Sequence, residues 1–159
     1  MPVNTKKVAE RRSLVFTDVH QIVADAQQVV SGPFHTSGNW SAGQIFMHLA
    51  RAVDSSIDGL DVKIAFPVRI VGRYFLKRRI LEGTMPAGFR LSGASAEKLV
   101  PGETETAAGL KGLREAIARL DQTSQRVPHA VFGPLTKEEW DRLHCRHAEM
   151  HLSFIIPHE

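Results

Sequence analysis

Cysteine is nearly missing from this sequence: Cys145 is the only one in 159 residues. A single thiol excludes an intramolecular disulfide and any zinc cluster built on cysteines. Long apolar runs are missing too, and no stretch approaches the roughly 18 residues of a membrane span. Nor is there a surplus of one charge. Twenty Lys and Arg against seventeen Asp and Glu leave +3, too small a balance to demand a nucleic-acid partner. The opening MPVNTKKVAERR has the positive charge of a signal peptide but no apolar segment after it. These absences lead us to expect a soluble, cytoplasmic protein with no membrane and no nucleic-acid partner.

What is present suits one folded domain. Apolar residues make up 43% and charged residues 23%, values that exclude disorder and low-complexity classes. No repeat and no Gly/Ser-rich linker divides the chain, so residues 1–159 read as a single domain.

The periodicity predicts four main helices. The first runs from about Asp18 to Val30 with Thr17 as N-cap, and Ser31-Gly32-Pro33 stops it. The second starts after Trp40 and runs to about Leu60. Ser41 and Gln44 form a capping box there, and Trp40 and Ile45 stand at the positions of a hydrophobic staple. The third runs from about Thr104 to Thr123, with Leu110, Leu113, Ile117 and Leu120 as its apolar stripe. The fourth repeats the double signature, with Thr136 and Glu139 as box and Leu135 and Trp140 as staple, and continues to about Ile156.

Roughly forty residues separate helices two and three, an unusual length that marks either a crossover or a functional loop. Val68 to Leu81 is expected to be a short helix capping the bundle with a solvated basic face. Its five basic residues, Arg69, Arg73, Lys77, Arg78 and Arg79, lie among aromatics. They would also suit an anionic membrane surface or nucleic acid, or attract an anionic substrate. Gly83 to Gly102 reads as irregular structure.

Eight histidines are the informative surplus. His147 and His151 are four apart on helix four, so they project about 40° apart, one turn above each other. They share a stripe with Trp140, Leu143 and Phe154, the stripe that the core should receive. Two buried imidazoles without partners would be costly, and one metal ion satisfies both. On helix two, His48 lies on the core-facing stripe with Ile45, Leu49 and Ala52. His48 is near the start of its helix and the pair is near the end of the other. Antiparallel packing would bring all three to one level. The long connection permits that packing, which gives an all-α four-helix bundle of up-down-down-up order with a crossover between helices two and three.

The remaining candidates sort by the same angles. His144 can replace His151 beside His147 but cannot join both, because it lies about 10 Å from His151 along the axis. His147-Ala-Glu-Met-His151 is not the HExxH of zinc proteases, since Glu149 is one place late and rotated away. Cys145 also faces away. His20, His35, His129 and His158 are expected to be surface or loop residues.

The segment Trp40-Ser-Ala-Gly-Gln-Ile-Phe-Met-His48-Leu-Ala resembles a signature of the DinB/YfiT-like metalloenzyme superfamily. Leu135-Thr-x-x-Glu-Trp140 followed by His147-x-x-x-His151-Leu-x-x-Phe154 is similar to that superfamily's last helix. Met85-Pro-Ala-Gly and Gly133-Pro-Leu-Thr look most like its domain-of-unknown-function 1569 branch. The resemblance covers nearly the whole chain. It implies a four-helix bundle, often homodimeric, whose metal is held by His48, His147 and His151. It also implies kinship with metal-dependent transferases or isomerases that use low-molecular-weight thiols.

The expected function is thus that of a metal-dependent enzyme, a transferase or hydrolase acting on a small-molecule substrate. It would use one divalent ion (zinc, nickel or iron), with a low-molecular-weight thiol as the further cofactor that the resemblance implies. The alternative is a non-catalytic metal-binding bundle serving as a binding or stress-response module. The last expectation concerns access. The metal should lie toward one end of the bundle, with Phe66 to Phe89 forming part of the pocket wall and Arg69, Arg73 or Lys77 available to an anionic group.

Overall fold

Both capping boxes close in the computed structural model, which describes residues 2–62, 64–88 and 93–158. The described residues are mostly helical, with one small sheet. In chain order the elements are α1 His20–Val29, β1 Phe34–Thr36, α2 Ala42–Asp58, α3 Phe66–Val71, α4 Lys77–Glu82, α5 Ala94–Leu99, α6 Thr106–Gln122, α7 Lys137–Leu152 and β2 Ile155–Pro157. A π-helical turn, Gly72–Leu76, joins α3 to α4.

At the start of α2, Ser41 Oγ accepts from the Gln44 amide and Gln44 Oε1 accepts from the Ser41 amide. Thr136 and Glu139 do the same at α7. Each box satisfies amides that helix geometry would leave without partners, so the starts of these two helices are firmly set.

Other boundaries differ from the expectation. Thr17 does not cap α1. Instead Asp18 Oδ1 takes the His20 amide at 2.7 Å, and the helix begins at His20. The fourth helix ends at Leu152 rather than Ile156. Beyond it, Ile155–Pro157 pairs antiparallel with Phe34–Thr36, Thr36 opposite Ile155. The end is reinforced by Arg12, which donates to the Leu152 and Ile155 carbonyls while its fork holds Asp25. Arg11 donates to the Met150 carbonyl and covers the Phe154 ring. Cations at a helix C-terminus complement the exposed carbonyls and the dipole. The two arginines of the signal-like opening therefore hold the last helix.

Side-chain contacts give the helix directions. Gly109 meets Gly43, Gly112 meets Met47, and Arg119 reaches Asp54 and Asp58. Hence α6 runs parallel to α2, which a crossover connection requires. Trp40 stacks on His151, and Ser56 meets His144. Hence α7 runs antiparallel to α2. Their shared core holds Ile22 and Ala26 of α1, Phe46 and Leu49 of α2, Leu113 and Leu120 of α6, and Leu152 of α7.

At the α2–α6 crossing the backbones touch. A Cβ on Gly109 would lie 2.3 Å from the Gly43 carbonyl oxygen, and one on Gly43 would lie 2.1 Å from that of Thr104. Alanine is the better helix former by about 1 kcal/mol, but here the neighbour is backbone and cannot yield. Gly109→Ala is therefore expected to destabilise by about 2 kcal/mol net, read from urea unfolding. At Gly32, where an added Cβ meets nothing within 4 Å, alanine should cost no more than about 0.5 kcal/mol.

The long connection departs most from expectation. Gly83–Gly102 is not wholly irregular, because α5 lies within it. The basic segment is helical from Phe66 to Glu82, with Pro67 in its first turn, where a missing amide costs nothing. It does not cap the bundle with its apolar side chains. From Phe66 to Leu76 only Gly72 is buried, pressed against Val131. The segment joins the body from Lys77 onward, where Leu81 packs in a second cluster with Phe132, Trp140 and Leu143.

Candidate metal centre

The three histidines singled out by spacing come together. His48 stands two turns into α2 and is 3% exposed. His147 and His151, stacked on α7, are half-buried and keep a solvent side. Nε2 of His48 lies 3.1 Å from Nε2 of His147. The ring centroids of the three are 4.5 to 5.0 Å apart. One nitrogen from each ring lies within 4.8 Å of the others, close enough to hold a single ion.

The donor chemistry fits a cation. A carbonyl can only accept, so the 2.8 Å contact from His48 Nδ1 to the Leu99 oxygen places the proton on Nδ1. The lone pair is then on Nε2, facing His147. Two nitrogens bound tetrahedrally at 2.0–2.1 Å from zinc would be about 3.3 Å apart, near the observed spacing.

Electrostatics keeps the rings neutral. Burial pushes the His48 pKa down, the Leu99 bond opposes the shift, and Arg51 adds to it. His147 and His151 are held well below the ordinary histidine value, first by burial and then by repulsion from neighbouring imidazoles. Arg11 adds its charge against protonation of His151. Neutral imidazole is the form that ligates.

Two walls of the site are not evident from the sequence. Trp40, expected only as a staple, stacks on His151 with 7° between planes and leans on His48. Leu99 fixes the His48 tautomer from the end of α5, and Arg51 holds that end by donating to the Val100 carbonyl. The connection reaches the histidines through Leu99, a residue beyond the expected 66–89 stretch. Lys77, expected to be available to an anion, is 2.7 Å from Glu139. Arg69 and Arg73 belong to the exposed arm, with Arg73 beside Gly133. Phe89 lies outside the described residues.

The remaining candidates stay apart from the cluster. His144 is buried, meets Ser56 Oγ at 3.2 Å and stacks on Trp140, and burial pushes it down to about 3. Glu149 turns away, accepting the Phe16 amide at 2.6 Å and pairing with Arg146. Cys145 is buried and its thiol is pushed up to about 11, which keeps it protonated and inert. His129 is a loop residue, as expected, but an inward-turned one. Its Nδ1 accepts the Val131 and Phe132 amides, its ring stacks on Phe132, and burial pushes it down to about 4. His35 and His158 face each other across β1 and the end of β2 at 4.9 Å. His20 pairs with Asp121 at the surface.

Three neutral nitrogen donors with one solvent side can hold a divalent cation and leave at least one position for water or substrate. Comparisons with curated proteins and with solved structures found no match. The model of the family described as "Protein of unknown function (DUF1569)" matches residues 8–158, and the chain belongs to that family.

Proposed function

We propose that the protein is a metal-dependent enzyme acting on a small-molecule substrate, with His48, His147 and His151 as ligands of one divalent ion. The observation that carries this reading is the convergence of three neutral ring nitrogens beside a solvent-facing side. Such an ion supplies Lewis acidity, polarising a substrate or lowering the pKa of a bound water or thiol. The chain's own residues prepare the site. The Leu99 carbonyl orients His48, Trp40 fixes the His151 ring plane, and burial keeps the donors unprotonated, with Arg11 adding its charge at His151.

A purely structural ion more often has its fourth position closed by cysteine or carboxylate. Cys145 is buried as a free, protonated thiol and Glu149 accepts the Phe16 amide, which favours the catalytic reading over that of a metal-stabilised binding or stress-response module. Zinc, nickel and iron all accept imidazole. The helix directions support an up-down-down-up four-helix bundle of the DinB-like kind. With it comes the proposal of a cytoplasmic, thiol-using transferase, homodimeric as such bundles often are.

The test is elemental analysis of the purified chain, followed by assays of thiol conjugation to an electrophile with and without chelator. About one ion per chain and chelator-sensitive turnover with one of the low-molecular-weight thiols are expected. Stoichiometric metal without turnover of any thiol or ester probe would leave the non-catalytic bundle as the better account.

A further inference from the structure

The exposed arm, Phe66–Leu76, is built against ordinary practice. A helix apolar on every side is normally buried, yet here Phe66 is 72% exposed, Tyr74 70% and Phe75 71%, with Val68, Val71 and Leu76 open as well. A patch of this kind marks an interaction surface. Cations are threaded through it. Lys77 is held by Glu139 and Arg78 by Glu82. Among the described residues Arg69, Arg73 and Arg79 have no ion-pair partner. The arm is anchored at its middle by Gly72 under Val131 and at its end by Leu81.

We propose that Phe66–Leu76 is an interfacial helix that docks the protein on an anionic lipid surface, its aromatic and aliphatic side chains entering the headgroup boundary while the arginines meet lipid phosphates. This gives the chain a peripheral membrane partner, the reading that the sequence places second to a solvated basic face. The inference is independent of the metal reading.

Charge chooses this occupant over a second copy. A two-fold contact through the arm would set its arginines against those of its twin. A contact with another face would need an apolar patch there. Among the described residues, the large apolar side chains exposed elsewhere are Val3, Val15 and Val100, too scattered to receive it. Aliphatic groups decide against nucleic acid, because Val68, Val71 and Leu76 offer bases neither stacking planes nor hydrogen bonds. Lipid suits both halves of the composition: apolar groups bury at the interface, and basic ones are attracted to its negative charge.

The experiment is co-sedimentation of the full chain with vesicles of phosphatidylcholine alone or with one third phosphatidylserine. Partition into the anionic vesicles is expected, falling with salt and absent from the neutral ones. Removing two cations with Arg69→Gln and Arg73→Gln should weaken it about 25-fold, at about fivefold per charge. Phe66→Ser with Phe75→Ser should weaken it at least about tenfold. Val15→Ser, an exposed apolar change away from the arm, should leave it as it is. All three variants should keep the parental melting temperature, since they alter exposed side chains. No partition into anionic vesicles would overturn the inference. So would a dimer in light scattering that the two Phe changes dissociate without any vesicle binding, or single-stranded RNA binding lost with the two Arg changes in place of lipid binding.

Discussion

Replacing His48, His147 or His151 singly by alanine is expected to lower metal affinity by more than about a hundredfold, since removing even outer partners of a site costs 10–100-fold. Each supplies one of three converging nitrogens, and two imidazoles cannot keep the ion against a competing chelator. His144→Ala sets the contrast. His144 stands one turn from His147 but meets Ser56 and Trp140, so its loss should leave metal content intact. It should still destabilise the fold by leaving a cavity, although the Ser56 hydroxyl keeps its bond to the Val53 carbonyl. Competition titration with a chromophoric chelator reads affinity, and thermal melting reads stability. Equal metal loss in all four variants would refute the ligand assignment. An intermediate loss of about tenfold is expected for Trp40→Ala, which frees the His151 ring without removing a donor.

The contrast between His144 and His147 shows which features can be read from the chain. Helical angle and rise put His147 and His151 on one stripe and bring His48 to their level, because both quantities repeat every turn. They leave His144 as a stand-in for His151, which only its contacts with Ser56 and Trp140 set apart. The capping boxes are equally readable, each being confined to four consecutive residues whose side chains answer each other's amides. What escapes is whatever depends on partners distant in sequence. Leu99 matters through its carbonyl, which every residue type carries, so nothing in its identity announces contact with His48. Arg11 and Arg12 read as signal-like charge, because the carbonyls they cap lie about 140 residues onward. The β1–β2 pair is three residues long on each side, too short for alternation to appear. The composition of the arm is plain in the sequence. That its apolar side chains stay exposed is not, because Phe, Tyr and Val ordinarily signal burial.

Acid should unfold the metal-free protein well before its carboxylates titrate. The reason is the group of buried neutral histidines. In the unfolded chain a histidine takes its proton near pH 6.5. In the folded chain burial holds His129 down to about 4 and His144 down to about 3, and His147 and His151 are lowered in the same direction. Below pH 6.5 the unfolded state therefore binds more protons than the folded one, and stability rises with pH through that window. Their full contribution is present above about pH 6.5 and is lost as pH falls, down to about 4 for His129 and about 3 for His144. At pH 5 His144 alone accounts for about 2 kcal/mol of lost stability, a large share of the 5–15 kcal/mol typical of a domain. The measurement is urea unfolding in chelator at pH 7.5 and pH 5. A glutamine at position 144 keeps a polar group beside Ser56 but cannot titrate, so His144→Gln should remove about one proton's worth of the pH slope. With metal bound the slope should steepen, because the ion is released as the ligands protonate. A metal-free protein equally stable at both pH values would show that the fold does not hold these imidazoles neutral, and the neutrality argued for the donors would not stand.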